Sequence, residues 1–140
     1  MSEFVVNIDG GARGNPGPAG WGVVIRTPAG DPVAELMGAL PHATNNVAEY
    51  SGLLAALDWC AEHDASKVHV LSDSLLLVQQ MRGVYKVKNE GLKPLHGRAR
   101  LCASRIGRVT FEHVRRELNA DADRLANQAM DEAGGLTKGP

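Results

Sequence analysis

The chain has 140 residues, 44% of them hydrophobic and 22% charged, with a formal net charge of −1. That length suits one domain with a self-sufficient core, and the near-neutral balance argues against a globally basic nucleic-acid binder. No apolar run approaches the roughly 20 residues of a membrane span, no basic leader with an apolar segment follows Met1, and Cys60 and Cys102 lack metal-ligand spacing, so a cytoplasmic monomer with buried free thiols is expected.

Phe4 to Ile8 is a short apolar run rich in β-branched residues and reads as a buried strand. It ends in Asp9, and the glycines at 10, 11, 14 and 17 let a backbone approach a ligand closely or turn where a Cβ would clash. Trp21 to Arg26 reads as a second strand, Pro28 to Asp31 as a turn, and Pro32 to Leu40 as a third strand, together an antiparallel meander. Pro41 to Asn46 is a polar connection with good N-cap residues. Val47 to His63 is helical in period, with Leu53, Leu54, Ala56, Leu57 and Cys60 near one face. Lys67 to Ser72 is a fourth strand closed by Asp73, Ser74 to Arg82 a short helix, and Val84 to Glu90 a basic, irregular segment.

Leu92 to Ile106 contains a helix with Leu95, Ala99, Leu101, Cys102 and Ile106 as core positions, and Arg108 to Val114 alternates as a fifth strand. Ala120 to Ala133 forms the last helix, with Ala122, Leu125, Ala126, Ala129 and Met130 as its apolar stripe. One domain over residues 1–133 is then followed by a flexible tail, 134–140. Basic residues gather between Arg82 and Arg116, where the only acids are Glu90 and Glu112, a distribution that points to a polyanionic partner.

Strands joined by crossover helices return parallel to the first strand. The order therefore predicts an α/β fold with a mixed five-stranded sheet: the meander plus two parallel strands, flanked by helices. Sites in such sheets gather beyond the carboxyl ends of the parallel strands, where both Asp9 and Asp73 fall. Glu49 sits in the first turn of its helix, favoured by the macrodipole, yet it shares a face with Leu53, Ala56 and Cys60. In the last helix Asp121 suits a first-turn acid beside an Asn119 cap, while Asp123 leans towards the packing face of Ala126 and Met130. Spacing alone leaves the choice between them open. Acids gathered without a suitable Cys or His set suggest a hard cation, of which Mg²⁺ is the usual case. Two such ions about 4 Å apart clamp an in-line phosphoryl displacement.

Ile8-Asp9-Gly10-Gly11-Ala12-Arg13-Gly14-Asn15-Pro16-Gly17 and its continuation to Gly22 resemble the opening signature of type 1 ribonuclease H. Thr44 to Tyr50 resembles the second motif of that family, Leu71 to Ser74 the third, Asn119 to Asn127 the fourth, and Tyr85 to Asn89 a segment of its compact members. The resemblance covers essentially the whole chain. It implies hydrolysis of the RNA strand of RNA/DNA hybrids with Mg²⁺ or Mn²⁺, leaving 5′-phosphate and 3′-hydroxyl ends. Asp9, Glu49, Asp73 and Asp123 match its metal-binding carboxylates, so the motif selects Asp123 over Asp121. Asn15, Thr44, Asn45 and Asn46 match positions that contact the hybrid backbone, which implies little sequence preference. Backbone groups at Gly11, Ala12 and Arg13, with Glu49, are candidates for reading the RNA 2′-hydroxyl.

Two departures stand out. Many members carry a His in a glycine-containing loop before the last helix; here His113-Val114-Arg115-Arg116-Glu117-Leu118-Asn119 runs straight on. His113 belongs to the strand pattern, which leaves Arg116, before Arg115, as the group to reach the scissile phosphate. The long basic handle of some members is also absent, so Lys86, Lys88 and Lys93 carry what remains of that contact, with strong salt dependence. Three other readings compete: a silent hybrid-binding module, a fold relative that cuts DNA or double-stranded RNA, and a nucleotide-binding loop. The intact acids argue against the first and the opening motif against the second. The third lacks a Lys-Ser/Thr and opens onto a meander instead of a helix.

Overall fold

The computed structural model describes residues 2–137. Strand β1 (Ser2–Ala12) runs up the middle of the sheet, β2 (Gly17–Arg26) returns antiparallel beside it, and β3 (Pro32–Ala43) forms one edge. Helix α1 (Asn45–Glu62) crosses over to β4 (Ala65–Ser72), which lies parallel to β1. Helices α2 (Leu75–Met81) and α3 (Lys93–Ile106) lead to β5 (Arg108–His113), parallel to β4 at the other edge. A 3₁₀ turn, Arg116–Asn119, feeds α4 (Ala120–Thr137). The sheet order is β3-β2-β1-β4-β5, the mixed arrangement the sequence predicts.

Alternation along β1 decides which face each residue serves. Phe4, Val6 and Ile8 enter the larger core with Val23 and Ile25 of β2, Val68 and Val70 of β4, and Leu53, Leu57 and Cys60 of α1. A smaller cluster forms where Val24 meets Ala122 and Leu125 of α4, with Met37 against it. Helix α4 approaches β2 so closely that a Cβ on Gly22 would lie 2.4 Å from the Ala122 carbonyl oxygen. Only glycine lets that helix sit down on the strand.

Several boundaries differ from the sequence expectation. Strand β3 continues to Ala43 because Gly17 of β2 still pairs with it, and Pro41 is tolerated on an edge strand. Helix α4 does not stop at Ala133; it runs through Gly134 and Gly135 to Thr137, since extending an existing helix costs about 1 kcal/mol per glycine where starting one costs more. The rest of the expected tail, 138–140, lies outside the described residues. Leu101 is not a core residue but 54% exposed on the outer side of α3, while Ala99, Cys102 and Ile106 are buried as expected. Both thiols are free and buried; burial pushes Cys60 up to about 12.

Asn119 is not a simple cap for α4. It is 1% exposed, and its Nδ2 donates to the Ile8 carbonyl at 2.8 Å while its Oδ1 accepts from Asn7 Nδ2 at 3.0 Å. This strut ties the start of α4 to β1 immediately before Asp9.

Candidate active site

Ile8 of β1 is in register with Ser72 of β4, so Asp9, still within β1 and paired with Gly22 of β2, and Asp73, just past the end of β4, come to the same level. Glu49 comes from the other direction. Thr44 caps α1 by accepting from the Val47 N–H at 3.2 Å, which fixes Glu49 in the first turn. The turn then lies against β1 where Gly10 has no side chain: a Cβ there would sit 2.5 Å from the Glu49 nitrogen. Carboxylate oxygens of Asp9, Glu49 and Asp73 consequently all lie within 4.8 Å of one another.

Asp123 of α4 completes the acidic wall. It lines the same open cavity, about 690 Å³, together with Gly10, Gly11, Ala12, Asn45, Asn127 and Met130 on one side and His113 to Glu117 on the other. Asp121, the alternative left open by spacing, instead pairs with Arg26 at 2.8 Å on the outside of the molecule.

The electrostatics of the cluster are unfavourable when it is empty of cations. Burial first, then the Asp73 charge, a hydrogen bond with Asp123 and the Glu49 charge push Asp9 up from 3.8 to about 8. Burial also pushes Glu49 up from 4.5 to about 7; a hydrogen bond from Ser74 lowers it and the Asp73 charge raises it further. Glu49 Oε2 is buried with no hydrogen-bond partner. An orphaned carboxylate oxygen beside two further carboxylates is a donor set that suits a hard, oxygen-seeking cation.

The polar residues of the opening loop interlock with α1. Asn45 Oδ1 accepts from the Ala12 N–H at 2.6 Å, and Asn15 Oδ1 accepts from the Asn45 N–H at 2.9 Å. Asn15, Thr44 and Asn45 thus spend oxygens on protein N–H groups and keep amide or hydroxyl hydrogens as donors, the polarity a phosphate requires. Asn46 follows half-buried in the first turn of α1. Two of the expected 2′-hydroxyl contacts lose their donors: the Ala12 N–H is held by Asn45, and the Arg13 N–H donates to the Pro18 carbonyl at 2.9 Å. Only acceptor groups of those two backbones remain for a ligand. The Arg13 side chain is ion-paired with Asp131 of α4.

Arg116 and Arg115 both line the acidic cavity, and so does His113. A His113 ring nitrogen lies 3.2 Å from the Asp73 carbonyl oxygen, which gives this histidine a structural bond at the site's edge. Lys86 lies elsewhere, in a basic cleft between α2 and α3 with Arg82, Lys93, His96 and Arg100, and Lys88 is exposed in the segment between those helices. Sequence reasoning missed Ser74, whose hydroxyl caps α2 at Leu77 and also bonds Glu49. It missed Asn127 too, although that residue stands one helical turn after Asp123 and shares its side of α4.

Comparison with known proteins places this geometry. A family model described as reverse transcriptase-like matches residues 7–129. The chain is 50% identical over 132 residues to the bifunctional protein Rv2228c of Mycobacterium tuberculosis, covering 94% of this chain and 36% of that one. The N-terminal RNase H domain of Rv2228c superposes with a TM-score of 0.94 at 47% identity, over 97% of this chain and 99% of that domain. RNase H1 of the archaeon Halobacterium salinarum matches with a TM-score of 0.89 at 36% identity, over 94% and 99%. LC11-RNase H1 from compost, solved in complex with an RNA/DNA hybrid, matches at 0.87 and 44%, over 93% and 98%. The chain spans about a third of the length of the mycobacterial proteins it matches.

Proposed function

The chain belongs to the type 1 ribonuclease H family, and on that premise we propose that it hydrolyses the RNA strand of RNA/DNA hybrids endonucleolytically, with little sequence preference. The observation that carries this reading is the cluster of Asp9, Glu49 and Asp73, with Asp123 on the same wall. A pure binding module gains nothing from buried carboxylates aimed at a polyanion.

Asp9, Glu49, Asp73 and Asp123 would hold two Mg²⁺ ions, or Mn²⁺. When bound, such a pair supplies Lewis acidity to the attacking water and to the departing oxygen. The protein's own part is positional. The donors that Asn15, Thr44 and Asn45 keep, their oxygens being bonded within the protein, seat the backbone of the hybrid by shape and charge without reading bases. Glu49, with its unpartnered oxygen, and the backbone carbonyls around Gly11 to Arg13 accept from the RNA 2′-hydroxyl. The guanidinium of Arg116 reaches the scissile phosphate in place of the loop histidine of other members. Water forms the new P–O bond, the bond to O3′ breaks, and the products carry 5′-phosphate and 3′-hydroxyl ends. Lys86 and Lys88 add salt-dependent contacts along the duplex.

The decisive experiment is cleavage of a labelled RNA/DNA hybrid with Mg²⁺, with Mn²⁺ and with EDTA, comparing the protein with Asp9→Asn. Single-stranded RNA, double-stranded RNA and DNA duplex run alongside. Metal-dependent cutting of the hybrid's RNA strand, lost in Asp9→Asn, is the expected outcome. A folded protein that binds hybrid and cuts nothing with either metal overturns the reading in favour of a binding module.

A further inference from the structure

Arg13 follows Ala12, a lining residue of the acidic cavity, and its guanidinium is ion-paired with Asp131. Asp131 in turn follows Met130, whose side chain packs against Gly11 on the same wall. Neither side chain lines the cavity itself; each directly follows a lining residue, so the pair ties the β1–β2 loop to α4 beside the cavity's edge. The backbone beneath Arg13 is fixed, because the Ala12 and Arg13 N–H groups are both bonded within the protein. The ion pair above it is not fixed. Its side chains are 49% and 68% exposed, and a solvated pair of this kind is weak and exchanges partners readily.

A guanidinium matches a phosphate at least as well as a carboxylate, with two parallel N–H donors for two oxygens. At this edge a phosphate backbone must approach a wall that already carries Asp9, Glu49, Asp73 and Asp123. We propose that Asp131 competes with the phosphates of the hybrid for Arg13: an internal anion that occupies the guanidinium in the free protein and is exchanged for a phosphate oxygen on binding. This rests on the ribonuclease H reading and adds a residue that sets substrate affinity. Asp131 lowers affinity for any polyanion and makes the Arg13 contact conditional on a phosphate arriving at this position.

The test is a double-substitution cycle on the whole chain: Asp131→Asn, Arg13→Ala and both together. Binding of a labelled RNA/DNA hybrid is followed by fluorescence anisotropy in EDTA, and KM and kcat are measured in Mg²⁺. Asp131→Asn is expected to tighten binding about two- to fivefold at low salt and to lower KM by the same factor with kcat unchanged. It should also steepen the logarithmic salt dependence by up to about one. In the Arg13→Ala background the same substitution should change little. Equal tightening in both backgrounds means generic charge removal and overturns the inference, as does no tightening in either. An unsubstituted protein that neither binds nor cuts the hybrid overturns the ribonuclease reading and this inference together. One that does both, without coupling between the two residues, overturns the inference alone.

Discussion

Asp9 and Asp73 stand side by side because each directly follows one member of the parallel pair Ile8–Ser72. The sheet register, more than either residue's own conformation, sets their spacing. Neither acid can be moved without slipping a strand anchored by fully buried side chains, Val6 and Ile8 on β1 or Val68 and Val70 on β4, so the site inherits its rigidity from the core. Substituting Asp73→Asn or Asp9→Asn should therefore leave the fold intact and reduce kcat on a hybrid by at least about 100-fold, read by single-turnover cleavage alongside circular dichroism.

The raised acids make the metal-free protein sensitive to pH with a definite sign. Asp9 binds its proton up to about pH 8 when folded but only to about 3.8 when unfolded, and Glu49 up to about 7 against 4.5. Between those limits the folded chain holds more protons than the unfolded one, so stability falls as pH rises. In EDTA the melting temperature should be highest near pH 5 and should decline towards pH 8. Asp9→Asn should flatten that decline, and Mg²⁺ should reverse it by stabilising the ionised carboxylates. A melting temperature that rises with pH in EDTA would contradict the burial of this cluster.

Arg116→Ala should lower kcat by about 10- to 100-fold while the Mg²⁺-induced rise in melting temperature stays as it was. The residue lines the cavity on the β5 side, opposite the wall formed by Gly10 to Ala12 and α4. An unchanged rate would dismiss its role and direct attention to His113, which shares that wall.

Gly10→Ala should destabilise the protein by about 2 kcal/mol or more, because the added methyl would meet backbone atoms of Ala48 and Glu49 at 2.5–2.8 Å and α1 would have to move. Its catalytic cost should exceed what the lost stability explains, since the shift carries Glu49 away from Asp9. Urea denaturation and hydrolysis rates measured on the same preparation separate the two effects.

Asn119→Ala should cost about 1–3 kcal/mol in urea denaturation, as it strands the buried Ile8 carbonyl and leaves the Asn7 amide only its 3.5 Å bond to the Leu118 carbonyl. Asn119→Asp should be no better, because a carboxylate offers no donor to Ile8.

Much of the site was legible from local pattern. A β-branched run ending in Asp9, a second ending in Asp73 and an acid on the packing face of α1 are signals that span a few residues each, and the order of elements brings their ends together. The same local rules gave the mixed sheet of a meander plus two parallel strands and the stripe of Ala122, Leu125, Ala126, Ala129 and Met130, all buried as expected. Local pattern failed wherever the deciding neighbour is far along the chain. Asp121 and Asp123 are nearly equivalent by spacing; the family motif favours Asp123, and the fold gives the physical reason, because Arg26 meets the first while the second lines the cavity. Asn119 reads as a cap and becomes a strut because Ile8 and Asn7 wait for it more than a hundred residues away in sequence. The amides of Ala12 and Arg13 look available until Asn45 and Pro18 are seen to hold them. Periodicity reports which face a residue occupies; it carries no information about which distant donor or charge will stand opposite. Local pattern by itself placed Asp9, Glu49, Asp73 and an acid of the last helix at one end of a mixed sheet, because strand ends and helix faces are short-range properties; which acid of α4 turns inward, and which donors, cations and carbonyls remain free to meet a substrate there, was decided by tertiary packing.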